Sequence, residues 1–187
     1  RNSQGYALWL MDANRNTVSN NRMVNHRLYG IVVTASARSS SNLIVGNIIN
    51  SNGIAGLSRS GDSVDWNRIV ANMIDGKNRQ TNGITIWDGD RNVVTNNRVV
   101  RNIRTGVRLG LTAATNRVVG NRVYSNGTAG IVLTNGAVSR NRIIRNLVYR
   151  NGASGISVFS GSNNRVLNNV LYRHTSWGVR IGSGTVR

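Results

Sequence analysis

The sequence has no cysteine, no proline and no glutamate, and only one phenylalanine and one lysine among its 187 residues. Without cysteine it can build neither a disulfide framework nor a thiolate metal site, and the redox compartment stays open. One phenylalanine excludes a core with aromatic layers, so the 39% hydrophobic content points to a thin core of Val, Ile and Leu. No apolar run approaches the roughly 18 residues of a membrane span. There is no signal peptide and no initiating Met, and Arg1 opens in mid-pattern, which predicts a segment of a longer chain. Acids are scarce. Six aspartates face 24 cations, of which all but Lys77 are arginine, giving a net charge of +18. Such a field favours polyanions, whether nucleic acid, anionic lipid or acidic polysaccharide, unless arginine is simply the default surface residue of this composition.

What is present is a repeat. One column reads Asn16, Asn42, Asn67, Asn92, Asn116, Asn141 and Asn164. A second follows five residues later at Asn21, Asn47, Asn72, Asn97, Asn121, Asn146 and Asn169. A third, strand-opening column runs Ala7, Gly30, Gly56, Gly83, Gly106, Gly130, Gly155 and Gly178. Two places after each first-column Asn stands a branched aliphatic residue, as at Ile44, Val94 and Val118, and the segments after the glycines alternate, as at Ile84 and Ile86. That alternation turns one face of a short strand inward, and no segment has helical spacing of useful length. Each coil is expected to hold three short strands meeting at bends. A single coil cannot bury its apolar face, whereas coils stacked at about 4.8 Å make a continuous core. The Asn columns then become ladders along the axis, with Asn also tolerating the left-handed backbone of a sharp corner.

This grammar, across residues 7–187, is similar to the right-handed parallel β-helix repeat of pectate lyases, alginate lyases and epimerases, and periplasmic copper-maturation proteins. The resemblance implies the handedness, and it implies an extracellular or periplasmic protein that meets polysaccharide. The expected architecture is an all-β, single-stranded, right-handed parallel β-helix of about seven coils, forming one domain over residues 1–187. The family's catalytic residues carry over to no position. The missing proline rules out the Asp-Pro-His motif of alginate epimerases, no Asp-Asp pair resembles the pectin-hydrolase site, and no Glu can serve as acid.

Function is expected where the grammar breaks, in coils one to four. Asp62, Asp65, Asp88 and Asp90 fall on one corner of adjacent coils, within reach of general acid/base chemistry or of a divalent cation such as calcium. Trp66 and Trp87 flank them as candidate sugar platforms. Turn hydrogen bonding explains the same aspartates structurally, and the matching turn at Asp12 favours that explanation for Asp88. At another corner His26, Tyr29, Lys77 and Arg79 stand near Asp75, a set that could serve proton abstraction beside a carboxylate. Arg117, Arg142 and Arg165 form a ladder to which a polymer with regular carboxylates or phosphates would be matched, although arginine stems also cover apolar sheet surface. Tyr124, Tyr149 and Tyr172 are expected as an outward stack, first a sheet stabiliser and second a sugar platform.

These features favour binding of an extended, acidic polysaccharide without a recognisable catalytic motif. A polysaccharide lyase, epimerase or hydrolase using the acid corner is the alternative. A third reading is a structural solenoid whose uncapped coils stack end to end or support a flanking domain. Nucleic acid fits poorly, because the basic residues encircle the coil rather than forming one patch.

Overall fold

The computed structural model describes residues 5–26, 29–58 and 64–182, with the backbone alone at 54–58. Three parallel sheets run its length. The long sheet has eight strands, Leu8–Met11, Ile31–Ala35, Ile54–Ser58, Asn82–Trp87, Thr105–Gly110, Ile131–Thr134, Ser154–Val158 and Trp177–Ile181. Two short sheets have seven three-residue strands each. The first runs from Thr17–Ser19 to Arg165–Leu167, the second from Arg22–Val24 to Val170–Tyr172. Every strand pairs in parallel with its counterpart one coil away, so the chain is an all-β solenoid of about seven turns.

The core follows from register. Ile84 lies level with Val107, and Ile131 with Ile156. In the short sheets Val94 meets Val118, and Val99 meets Val123. All eight are fully buried. Burying a side chain of this size contributes about 1.5–3 kcal/mol, and one coil alone could not realise it.

The Asn columns are ladders, as expected. The Oδ1 of Asn121 accepts from both the backbone N–H and the Nδ2 of Asn97, at 2.9 and 3.0 Å. The Nδ2 of Asn121 donates to Val94 O and Val119 O at 2.9 and 3.2 Å, and on to Asn146 Oδ1 at 3.0 Å. One side chain thereby satisfies groups of three coils. The corner conformation departs from expectation. The left-handed residue is the one before each ladder Asn, for example Arg91 (φ 54), Asn96 (φ 55), Arg140 (φ 56) and Arg145 (φ 54). The ladder Asn must point its amide inward and along the axis, so the preceding residue makes the sharp bend and its side chain is left outside.

The glycine column also needs one correction. Gly53, not Gly56, stands level with Gly30, and its carbonyl accepts the Gly30 N–H at 2.9 Å, whereas Gly56 pairs with Val33 and Ile86 inside the strand. The extra residues are taken up by a turn at 76–81, closed by Arg79 N–H and Gln80 N–H donating to Gly76 O. The column itself is steric. A Cβ at Gly106 would fall inside contact distance of Val123 Cγ1 and 2.7 Å from Gly130 O.

Candidate functional site

The acid corner is a set of backbone acceptors. Asp65 Oδ1 accepts the Asp90 N–H at 2.7 Å, and Asp90 Oδ1 accepts the Ala114 N–H at 2.8 Å. Asp88 Oδ1 accepts both the N–H and the hydroxyl of Thr112, at 2.9 and 2.7 Å. Asp12 does the same for the N–H groups of Ser36 and Ala37. Backbone hydrogen bonds from Ala37 and Ser36 hold the Asp12 carboxyl below its usual range. Asp90 differs. Burial, together with the negative charges of Asp65 and Asp88, pushes its carboxyl up despite the Ala114 bond. Asp62 lies outside the described residues. Among the described residues no three His, Cys, Asp or Glu side chains converge as a metal ion would need.

Both tryptophans of this corner are covered by arginine. Arg91 lies over exposed Trp66 at 5.2 Å, and Arg108 over half-buried Trp87 at 4.4 Å. At the other candidate corner the backbone N–H of His26 donates to Asn52 Oδ1 at 3.1 Å, while Asp75 is buried in an ion pair with Arg101. Burial raises the Asp75 carboxyl, but the bonds from Arg101 and the Lys77 N–H outweigh it and hold it below the usual range. Burial lowers His26 and His174 alike, and His174 Nδ1 accepts the Asn151 N–H as the final rung of an Asn ladder.

The tyrosine column is a stack, with Tyr124 and Tyr149 centroids 4.7 Å apart and Tyr149 and Tyr172 5.0 Å apart, planes within 5° and 2°. Arg122 Nε donates to the Tyr149 hydroxyl at 3.0 Å. Arg117, Arg142 and Arg165 are register partners on the first short sheet, all exposed. With Arg140 and Asn163, Arg142 and Arg165 line a shallow groove of about 310 Å³.

Sequence reasoning missed a second groove, of about 280 Å³, on the outer face of the long sheet. Its floor is a register column: Arg108, Val132, Ser157, Arg180. Hydroxyls of Thr105, Thr128, Thr134 and Ser154 line its sides, and Arg104 stands on one wall. Each end is an arginine on aromatic rings: Arg108 over Trp87, and Arg180 over Phe159 and Trp177 at 5.1 and 4.7 Å. Burial and the charge of Arg104 pull the Arg108 guanidinium below its usual range. Its Nε is buried and has no partner among the described residues. No carboxylate lines the groove. A half-buried guanidinium with an unmet N–H, beside hydroxyls and exposed arginines, suits a carboxylate carried on a polyol, which a planar guanidinium can bind through two parallel bonds.

One signal could have led there. All six aspartates precede Arg91, where they offset nine cations, whereas residues 91–187 hold fifteen arginines and no acid. The groove belongs mostly to that acid-free, regular half, away from the irregular coils where function was expected.

The fold defines a parallel β-solenoid with three sheets per turn. The chain belongs to the right-handed β-helix family, whose model matches residues 61–171. Comparison with curated proteins gave no match. Among solved structures, a double mutant of the periplasmic alginate epimerase AlgG is similar over 96% of this chain, at a TM-score of 0.74 and 23% identity. The unmutated AlgG structure gives 0.64 and 22% over 97% of this chain. This chain covers 38% and 35% of those two proteins. Among the described residues no helix is long and apolar enough to cross a membrane.

Proposed function

We propose that this chain is an extracytoplasmic β-helix that binds an extended acidic polysaccharide along the groove of its long sheet, without a catalytic step of its own. The observation that carries the reading is the groove. It places half-buried Arg108, exposed Arg104 and Arg180, and hydroxyls along the solenoid axis, with aromatic rings at both ends and no carboxylate in its lining. The coil step of about 4.8 Å is close to the length of one sugar along an extended chain. Arg108 and Arg180, three coils and about 14 Å apart, would then meet carboxylates on separate sugars of one polymer. Similarity in fold to a periplasmic alginate epimerase supports the polymer class and the compartment.

Retention on immobilised alginate and pectate tests this. The wild-type chain should bind both and release with salt, and Arg108→Ala with Arg180→Ala should lose most retention. Equal retention on a neutral glucan, or unchanged retention in the double variant, overturns the reading.

A second reading, a polysaccharide lyase, epimerase or hydrolase centred on Asp65, Asp88 and Asp90, is favoured by the raised Asp90 carboxyl. It requires an altered or cleaved product from alginate or pectate that Asp90→Asn abolishes. Wild-type protein that leaves both polymers unchanged removes this reading.

A further inference from the structure

The edge where the two short sheets meet carries both charge and exposed aliphatic surface. On the first short sheet, Arg68, Arg117, Arg142 and Arg165 share one outward column. Two residues further along each strand, and next to the edge, runs the column Val45, Val70, Thr95, Val119, Ile144, Leu167. Across the edge, the second short sheet presents Ile48, Met73, Arg98, Arg122, Leu147 and Val170 in register. These aliphatic side chains are half-buried or exposed, reaching 37% at Ile48, 39% at Leu167 and 58% at Val170. The bend between the columns carries Gly46, Ala71 and Gly120 in three coils, where both aliphatic columns can approach a flat surface together, and the longer Asn96, Arg145 and Asn168 in the others. From the coil of Val45 to that of Leu167 the strip is about 24 Å long.

We propose that this edge lies on the surface of an anionic lipid bilayer. The aliphatic columns would sit at the acyl boundary, and the arginines on either side would reach the headgroup phosphates. Charge and apolarity select this occupant together. Neither a hydrated glycan nor a nucleic acid backbone gives Ile144, Leu167 and Val170 anything to bury against. An anionic bilayer offers phosphates and acyl chains within one side chain's reach. The groove of Arg140, Arg142, Asn163 and Arg165, on the far side of the arginine column, has no acid in its lining and is open to a phosphate group. In a three-sided coil the corner between two sheets lies opposite the third. Docking by this edge therefore turns the long-sheet groove away from the bilayer.

The test uses vesicles of phosphatidylcholine alone and of equal parts phosphatidylcholine and phosphatidylglycerol, at physiological salt. The wild-type chain should sediment with the anionic vesicles only. Arg142→Ser with Arg165→Ser should weaken partition by about fivefold for each arginine removed. Ile144→Ser with Leu167→Ser should weaken it several-fold at unchanged charge. Because the sequence has no cysteine, an environment-sensitive dye on Ala71→Cys reports this edge without altering the columns. It should shift to the blue on anionic vesicles, whereas the same dye on Asn135→Cys, at a turn following the long sheet, should not. Three results overturn the proposal: no partition into anionic vesicles, full partition by the aliphatic double variant, or equal shifts at both dye positions. Retention of the aliphatic variant together with displacement by soluble dextran sulfate would reassign the edge to a soluble polyanion.

Discussion

The guanidinium of Arg108 lies 4.4 Å from the centre of the Trp87 ring one coil away, and its Nε is buried without a partner among the described residues. The ring fixes the cation, and the unmet N–H marks where an anion gains most. Such a contact contributes about 0.5–2 kcal/mol, and a hydrogen bond to a charged group about 1.5–3 kcal/mol. Arg108→Ala should therefore weaken binding to alginate about 10- to 100-fold, read by affinity electrophoresis. Trp87→Ala should have a smaller effect in the same direction. Unchanged mobility in both variants would move the glycan elsewhere.

The ladders predict stability that depends on position. Removing the Asn121 amide orphans buried groups in three coils, at about 1–3 kcal/mol for each group left unmet. Asn121→Ala should lower the urea midpoint by an amount equivalent to about 3 kcal/mol or more. Asn16, exposed at the first rung, should cost under about 1 kcal/mol when replaced by alanine. Equal losses at the two positions would contradict the ladder as the source.

Gly106 is set by volume. Its added Cβ would meet Val123 Cγ1 and the Gly130 carbonyl. Gly106→Ala should destabilise by about 1–3 kcal/mol through overpacking, in denaturant titration. At Ala71, where φ is 52, the change to glycine should have the opposite sign and stabilise by about 0.5–1 kcal/mol.

Asp75 and Asp90 predict opposite responses to pH. Asp75 is held below its usual range, so its ion pair with Arg101 contributes stability above the unfolded value of 3.8 and loses it as pH falls through the folded value. Asp75→Asn should be less stable than wild type at neutral pH, with the difference closing in acid. Asp90 is pushed up, so its ionisation costs stability as pH rises from 3.8 through the raised folded value. Asp90→Asn keeps an oxygen for the Ala114 N–H, and should be at least as stable as wild type at neutral pH. Urea midpoints at neutral and acid pH check both signs.

The scaffold was legible because its determinants repeat at fixed spacing. Asn121 and Val118 are each one of seven, so the ladders and the inward columns stand out against any background. The tyrosine stack was legible for the same reason. Gly56 misled because a glycine three residues late still resembles the column, and only the extra turn at 76–81 reveals that Gly53 holds the place. The long-sheet groove was hidden because its residues share no type. Arg108, Ser157 and Arg180 are neighbours by register alone, and Val132 between them looks like an ordinary outward position. Asp65, Asp88 and Asp90 of the acid corner drew the eye as chemistry, yet their Oδ1 atoms are spent on backbone N–H groups one coil further on.

The uneven placement of acids makes the molecule electrically directional. A polyanion drifting towards it is pulled mainly by the part from Arg91 onward, where fifteen arginines have no opposing charge, and only weakly by the coils before it. The heading of the first encounter is thus set before any side chain touches, within a screening distance of about 8 Å at physiological salt. Added salt should scramble that heading sooner than it loosens the Arg108 contact, so association should slow before dissociation quickens.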